Sequence, residues 1–209
     1  MHLRKILLLG IGALACGLIA FALVKGARVF MTDSPTPPSR AVIATAGAKI
    51  GGPFHLVDSA GKPVSDSDFR GRFMLLYFGY TFCPDVCPTE LQAMGRAVDL
   101  LGPAGDKVVP VFISVDPARD SGTALGQYVR AFHPRMIGLT GPRAEIDRVT
   151  KAYRAYYRLG QPSKPGAKDY LVDHTAFVYL VGPDGKLAAL LRGGVGADAL
   201  AEGIRGTLR

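Results

Sequence analysis

The chain has few cysteines, no internal repeat, no long low-complexity tract and no dense basic run, and each shortage removes a class of protein. Cysteine occurs three times in 209 residues, at Cys16, Cys83 and Cys87. A small disulfide-stapled scaffold is therefore excluded. So is an iron–sulfur cluster held in the usual way by four thiolates. Without repeats the chain is neither a solenoid nor a propeller. The net charge is +8. The basic residues do not cluster, and no nucleic-acid recognition motif accompanies them, so a nucleic-acid partner is not expected. Charge of this size bears on solubility and partners rather than on fold. It fits an Arg-rich soluble surface, or attraction to anionic lipid or an acidic partner.

Hydrophobic residues make up 48% of the chain, too many for a disordered one. Residues 6–24 form a nineteen-residue apolar run without a charge. As a helix it spans about 28 Å, close to the thickness of a bilayer core. Arg4 and Lys5 precede it, which favours a cytoplasmic N-terminus. A cleaved signal competes with this reading. Residues 13–15 (ALA) resemble a small-residue cleavage site, and Cys16 would then become a lipidated N-terminus. Eight more apolar residues follow Cys16, where a processed signal turns polar. An uncleaved anchor over residues 1–25 is the expectation. In it Cys16 is a small membrane-facing residue. Residues 32–40 (TDSPTPPSR) read as part of a tether over 26–48, leaving a domain over 49–209. The leader lacks the long, amphipathic, Arg-rich stretch of a mitochondrial presequence. A bacterial inner membrane is expected, crossed once, with the domain in the periplasm.

Within that domain, residues 54–57 and the turn at 59–62 read as an opening hairpin. Residues 73–78 (FMLLYF), 108–115 (VVPVFISV) and 175–181 (TAFVYLV) are continuous apolar runs, the mark of strands buried on both faces. A Pro-Asp-Gly turn then leads into a strand over 187–191. Helices are expected over 91–101, 123–132, 144–157 and 197–208. The third carries Ile146, Val149, Ala152, Tyr153 and Tyr156 on one face. This order predicts an α/β fold, a central mixed sheet flanked by helices.

Chemistry concentrates in residues 79–91 (GYTFCPDVCPTEL), between a buried strand and a helix. Open α/β sheets bind ligands at such strand ends. Pro88 suits a first helical position, whereas Thr89 with Gln92 resembles a capping box. Either start leaves Cys83 and Cys87 in a loop near the positive helix end, which favours thiolates. Two such sulfurs could close a disulfide, act as a redox pair or converge on one soft ion. His174 stands just before the third buried run. In a thioredoxin-like sheet that position faces the cysteine loop, where thioredoxins usually carry proline. His133, His55 and His2 have no supporting context. Structural zinc wants four protein ligands, and no fourth is evident. Soft sulfur also selects Cu(I), which accepts three ligands readily. With a further donor the same set holds Cu(II).

At these residues the sequence resembles the Sco/SenC family, copper proteins that assist cytochrome c oxidase assembly. The resemblance rests on residues 71–91 (GRFMLLYFGYTFCPDVCPTEL), 112–120 (FISVDPARD), 151–157 (KAYRAYY) and 169–186 (DYLVDHTAFVYLVGPDGK). It implies a thioredoxin-like fold on one N-terminal membrane helix. It implies copper bound by Cys83, Cys87 and His174 and delivered to the binuclear copper centre of oxidase subunit II. A copper-donating chaperone would load it. Asp173 would orient the site or offer a weak oxygen donor. Asp116 and Pro117 read as a strand-end turn. A thiol-disulfide oxidoreductase using Cys83 and Cys87 is the alternative, weakened by the CxxxC spacing and by His174 in place of proline. Peroxidase chemistry is disfavoured. Peroxiredoxins need proline seven residues and threonine three residues before the reactive cysteine, and here Tyr80 and Pro84 stand there.

Overall fold

The computed structural model describes residues 41–43 and 49–208. The expected anchor over 1–25, with Cys16, and most of the expected tether lie outside the described residues. Among the described residues no helix is long and apolar enough to cross a membrane.

Among the described residues the strands are β1 (Val42–Ile43), β2 (His55–Asp58), β3 (Pro63–Ser65), β4 (Phe73–Gly79), β5 (Val108–Ser114), β6 (Ile137–Thr140), β7 (Tyr157–Leu159), β8 (Val172–His174), β9 (Phe177–Val181) and β10 (Leu187–Arg192). The helices are α1 (Val86–Leu100), α2 (Gly122–Arg130), α3 (Arg143–Tyr153) and α4 (Ala197–Thr207). Eight strands form one sheet in the order β1-β10-β9-β4-β5-β6-β2-β3, and β7 and β8 form a separate two-stranded ribbon. The β4, β5 and β6 strands are parallel. The rest pair antiparallel, so the sheet is mixed, as expected.

The apolar runs behave as their composition requires. Every residue of β5 is buried, and β4 is buried from Met74 to Gly79. Neither strand has a solvent face to fill with polar residues. On α1, Leu91, Met94 and Val98 recur at helical spacing and are buried, and α1 lies against α4.

Register gathers the site. The parallel pair β4 and β5 ends together, with Gly79 opposite Ser114. Next door, β9 runs antiparallel to β4, with Tyr77 opposite Val178. The ends of β4 and β5 and the approach to β9 therefore meet at one end of the sheet. Gly79 allows the close approach there. A Cβ on it would lie 2.8 Å from Cys87 Sγ and 2.9 Å from the Phe112 ring, closer than carbon packs.

Four local expectations are corrected. Helix α1 starts at Val86, not at 91, so Cys87 sits in its first turn rather than in a loop. Neither expected start signal is used: Asp85 is the N-cap, and Thr89 Oγ1 donates back to the Asp85 carbonyl instead of capping. Helix α3 stops at Tyr153, although its apolar period continues to Tyr156. Arg154 takes a left-handed conformation (φ 53°), and Ala155 N–H closes on the Thr150 carbonyl at 2.8 Å. The third buried run begins at Phe177, two residues later than expected, and Thr175 and Ala176 join it to the ribbon strand that ends at His174. Strand β6, only four residues long, was not marked by any long apolar run. In addition Val42 and Ile43, within the segment read as tether, pair with Leu191 and Leu190.

Candidate metal centre

Three segments meet where β4, β5 and β9 converge. The first leaves β4 through Tyr80 and Thr81 and turns at Cys83, whose N–H reaches the Tyr80 carbonyl at 3.3 Å. A buried carboxylate below it fixes this turn. Asp120 accepts from Thr81 N at 2.8 Å, from Thr81 Oγ1 at 2.6 Å and from Ser114 Oγ at 2.7 Å. Burial raises the Asp120 pKa, and the bonds from Thr81 and Ser114 oppose that rise.

The second segment is the start of α1. Backbone N–H groups in a first helical turn lack intrahelical partners. Here the N–H of Cys87 points at Cys83 Sγ, 3.4 Å away. Both cysteines are buried and free. The neighbouring Cys87 holds the Cys83 pKa down, to about 4, while burial opposes the shift and N–H groups of Asp85 and Cys87 support it. Cys83 beside it, with burial, pushes Cys87 up.

The third segment is the ribbon, where Tyr157 pairs with His174. His174 Nδ1 lies 3.2 Å from the Thr175 carbonyl. A carbonyl only accepts, so that bond places the ring proton on Nδ1 and leaves the Nε2 lone pair free. Nε2 lies 3.1 Å from Cys87 Sγ. Tyr77 and Tyr80 meet the imidazole edge-on, each with centroids 5.9 Å from its own, and fix the ring plane.

The ligand atoms of Cys83, Cys87 and His174 all lie within 4.8 Å of one another. Metal–sulfur and metal–nitrogen bonds of about 2.3 and 2.0 Å place the donors of a three-coordinate ion roughly 3.5–4 Å apart. One small ion fits with little movement. All three residues named from the sequence are thus brought together. Asp173 is not among them. Strand alternation turns its carboxylate outward, 63% exposed, onto Arg158 at 2.7 Å, and the Thr175 carbonyl takes the orienting role. His133 is buried and lies 3.3 Å from Asp99, away from the centre.

Sequence reasoning missed the groups that hold the two limbs: Asp116, Arg119, Asp120, Tyr77 and Tyr80. Their one signal was two acids and an arginine crowded directly behind a fully apolar strand. The centre opens to solvent through a cleft of about 280 Å³ whose walls include Cys83, Val86, Leu171 and His174. Val86 and Leu171 are 49% and 59% exposed, as is neighbouring Phe82 at 57%.

The family model described as SCO1/SenC matches residues 43–209. The chain belongs to the SCO1/SenC family. Protein sco1 of Schizosaccharomyces pombe is 42% identical over 165 residues, covering 78% of this chain and 63% of that protein. The human Protein SCO1 homolog, mitochondrial, is 47% identical over 139 residues, covering 66% of this chain and 46% of that protein. This SCO1/SenC chain thus spans about half to two thirds of the length of these curated relatives. The copper-bound structure of Arabidopsis thaliana ScoI superposes with a TM-score of 0.70 at 42% identity, covering 77% of this chain and 98% of that one. The thioredoxin-like mixed α/β fold expected for the family is the fold observed.

The lowered Cys83 pKa makes a prediction for the metal-free, reduced SCO1/SenC protein. At pH 6, below the ordinary cysteine range of about 8.5, iodoacetamide modifies Cys83 ahead of Cys87. Because the Cys83 pKa is depressed, its thiolate persists as pH falls to near 4 and is lost below that. Peptide mass mapping after timed alkylation checks the order. Equal labelling, or Cys87 first, contradicts it.

Proposed function

We propose that this protein binds copper through Cys83, Cys87 and His174 and delivers it to the binuclear copper centre of a cytochrome c oxidase. The observation that carries this reading is the meeting of two sulfurs and an unprotonated imidazole nitrogen within 4.8 Å. Two thiolates select Cu(I), and one imidazole completes a three-coordinate shell. Such a shell leaves an approach open. An acceptor thiolate or imidazole enters through the cleft, bonds to the copper and displaces the donors one at a time. Copper stays Cu(I) throughout, so no electron moves. The copper bound by the Arabidopsis relative supports the same cargo here.

A single-pass anchor over residues 1–25 and a tether over 26–48 would hold the domain at the outer face of a bacterial inner membrane. Oxidase subunit II and a copper-donating chaperone meet it there. The apolar run at 6–24 and the Pro- and Ser-containing stretch after it support this placement.

The depressed Cys83 thiolate beside Cys87 favours one second reading, thiol–disulfide exchange with the acceptor. Cys83 would attack an acceptor disulfide, and Cys87, losing its proton, would resolve the mixed disulfide. The acceptor would gain two electrons as Cys83 and Cys87 joined. One mixing experiment separates the two. The full-length chain, carrying one Cu(I), is incubated with reduced, copper-free subunit II domain and the products are separated. Copper is expected on the acceptor, with both donor thiols still reduced. Copper retained by the donor contradicts delivery. Loss of donor thiols on mixing with oxidised, copper-free acceptor supports the exchange reading.

A further inference from the structure

The His174 limb is not part of the main sheet. Among the described residues strand β8 pairs only with β7, so other contacts help set its place over the cysteines. A buried arginine does so. The Arg119 side chain is 1% exposed, and its Nε donates to the Asp116 carboxylate, itself fully buried. Its Nη1 donates to the Lys168 carbonyl at 2.9 Å and to the Tyr170 carbonyl at 2.7 Å. Both carbonyls lie on the stretch that leads into β8. The guanidinium is stacked on the Tyr170 ring, 3.8 Å from its centroid, and the Tyr170 hydroxyl returns to Asp116 Oδ1 at 3.0 Å. It also meets Phe82 and Tyr80 of the cysteine segment, 5.0 and 5.4 Å from their centroids.

One planar cation thus touches both limbs. Its fork matches two carbonyls and a carboxylate at fixed angles, which a lysine cannot do. Arg143 braces the same cluster, with Nη2 3.9 Å from Asp116 Oδ1 and Nη1 bonded to the Val115 carbonyl and the Tyr157 hydroxyl. The sulfurs have holds of their own besides these contacts, namely the end of β4, Asp120 and α1.

We infer that Arg119, held by Asp116, is a positioning residue that fixes the His174 limb over the cysteine loop and so determines whether the imidazole joins the two sulfurs on copper. This rests on the copper reading above and names a residue that acts chiefly on one ligand, since the other two are also held by β4, Asp120 and α1.

The test uses the full-length chain with Arg119→Gln and, because loss of a buried cation can unfold a protein, Tyr170→Ala. The second variant keeps the Arg119–Asp116 pair and removes the stack and the hydroxyl bond. Two readouts are taken. In metal-free protein, amide exchange over residues 168–174 is expected to quicken roughly tenfold in both variants, while β4 and β5 keep their protection. In Cu(II)-loaded protein, the electron-spin nitrogen coupling is expected to be lost in Arg119→Gln and weakened in Tyr170→Ala. Arg119→Gln combined with His174→Ala should look no different from His174→Ala alone. Cu(I) stoichiometry should stay at one per chain. Nitrogen coupling retained in both variants, whatever the exchange shows, overturns the inference. If the unaltered chain takes up no copper, the copper reading fails and the exchange decides alone: faster exchange upholds the limb-holding role, and unchanged exchange ends it.

Discussion

Cys83→Ser or Cys87→Ser abolishes tight Cu(I) binding, each variant alone. Serine keeps the size and replaces a soft sulfur with a hard hydroxyl that stays protonated near neutral pH. Removing a group that merely supports a ligand costs roughly 10–100-fold in metal affinity, and loss of one of the two soft sulfurs exceeds that. The two positions fail for different reasons. Cys83 sits at the mouth of the cleft and carries the thiolate. Cys87 lies deeper, against Gly79 and 3.1 Å from His174 Nε2, and joins the other two donors. Competition against a colorimetric Cu(I) chelator measures the loss. Because Cys87 is fully buried in the first turn of α1, the thermal midpoint of each metal-free variant is recorded alongside. A folded variant that still holds one Cu(I) tightly shows that its cysteine is not a ligand.

His174→Ala separates the two valences. Two thiolates alone suffice for Cu(I), so its affinity falls by no more than roughly 10–100-fold, the cost of a supporting group. Cu(II) has a harder preference and needs the imidazole. Its complex loses the nitrogen coupling and becomes unstable. The fold should persist, since His174 is only partly buried and its strand lies outside the main sheet. What the substitution removes is a ring between two tyrosines and one bond to the Thr175 carbonyl. Spin resonance and visible absorption of both loaded forms report the result. An unchanged Cu(II) spectrum means that another group supplies the nitrogen.

The parts of this fold that were legible in the sequence are those whose signal is strong and local. Runs such as residues 73–78 and 108–115 are apolar throughout because both faces are covered, and nothing but a central strand explains them in a chain of this pattern. The three candidate ligands could be named because sulfur and imidazole are scarce here and the resemblance pointed to them, and the structure brings them together. Helix boundaries were harder. Cys87 entered α1 because a helix tolerates proline in its first turn, so Pro88 marks the region of the start without marking the residue. The end of α3 turned on one left-handed arginine, a conformation that periodicity cannot report. The ribbon that carries His174 was invisible for a related reason. Its pairing, Tyr157 with His174, joins residues too far apart in sequence for local patterning to link them. The Asp116–Arg119–Tyr170 cluster was illegible likewise, since its partners are some fifty residues apart. Asp173 shows the opposite error. Adjacency to His174 in sequence made it attractive, and strand alternation turned it away.

X-ray absorption at the copper edge of the Cu(I)-loaded, full-length chain tests the central claim most directly. The account predicts two sulfur neighbours near 2.3 Å and one nitrogen near 2.0 Å, approximately the bond lengths these donors make to zinc, with one copper per chain. A shell of three or more sulfurs, a copper–copper distance, or no sulfur at all contradicts it.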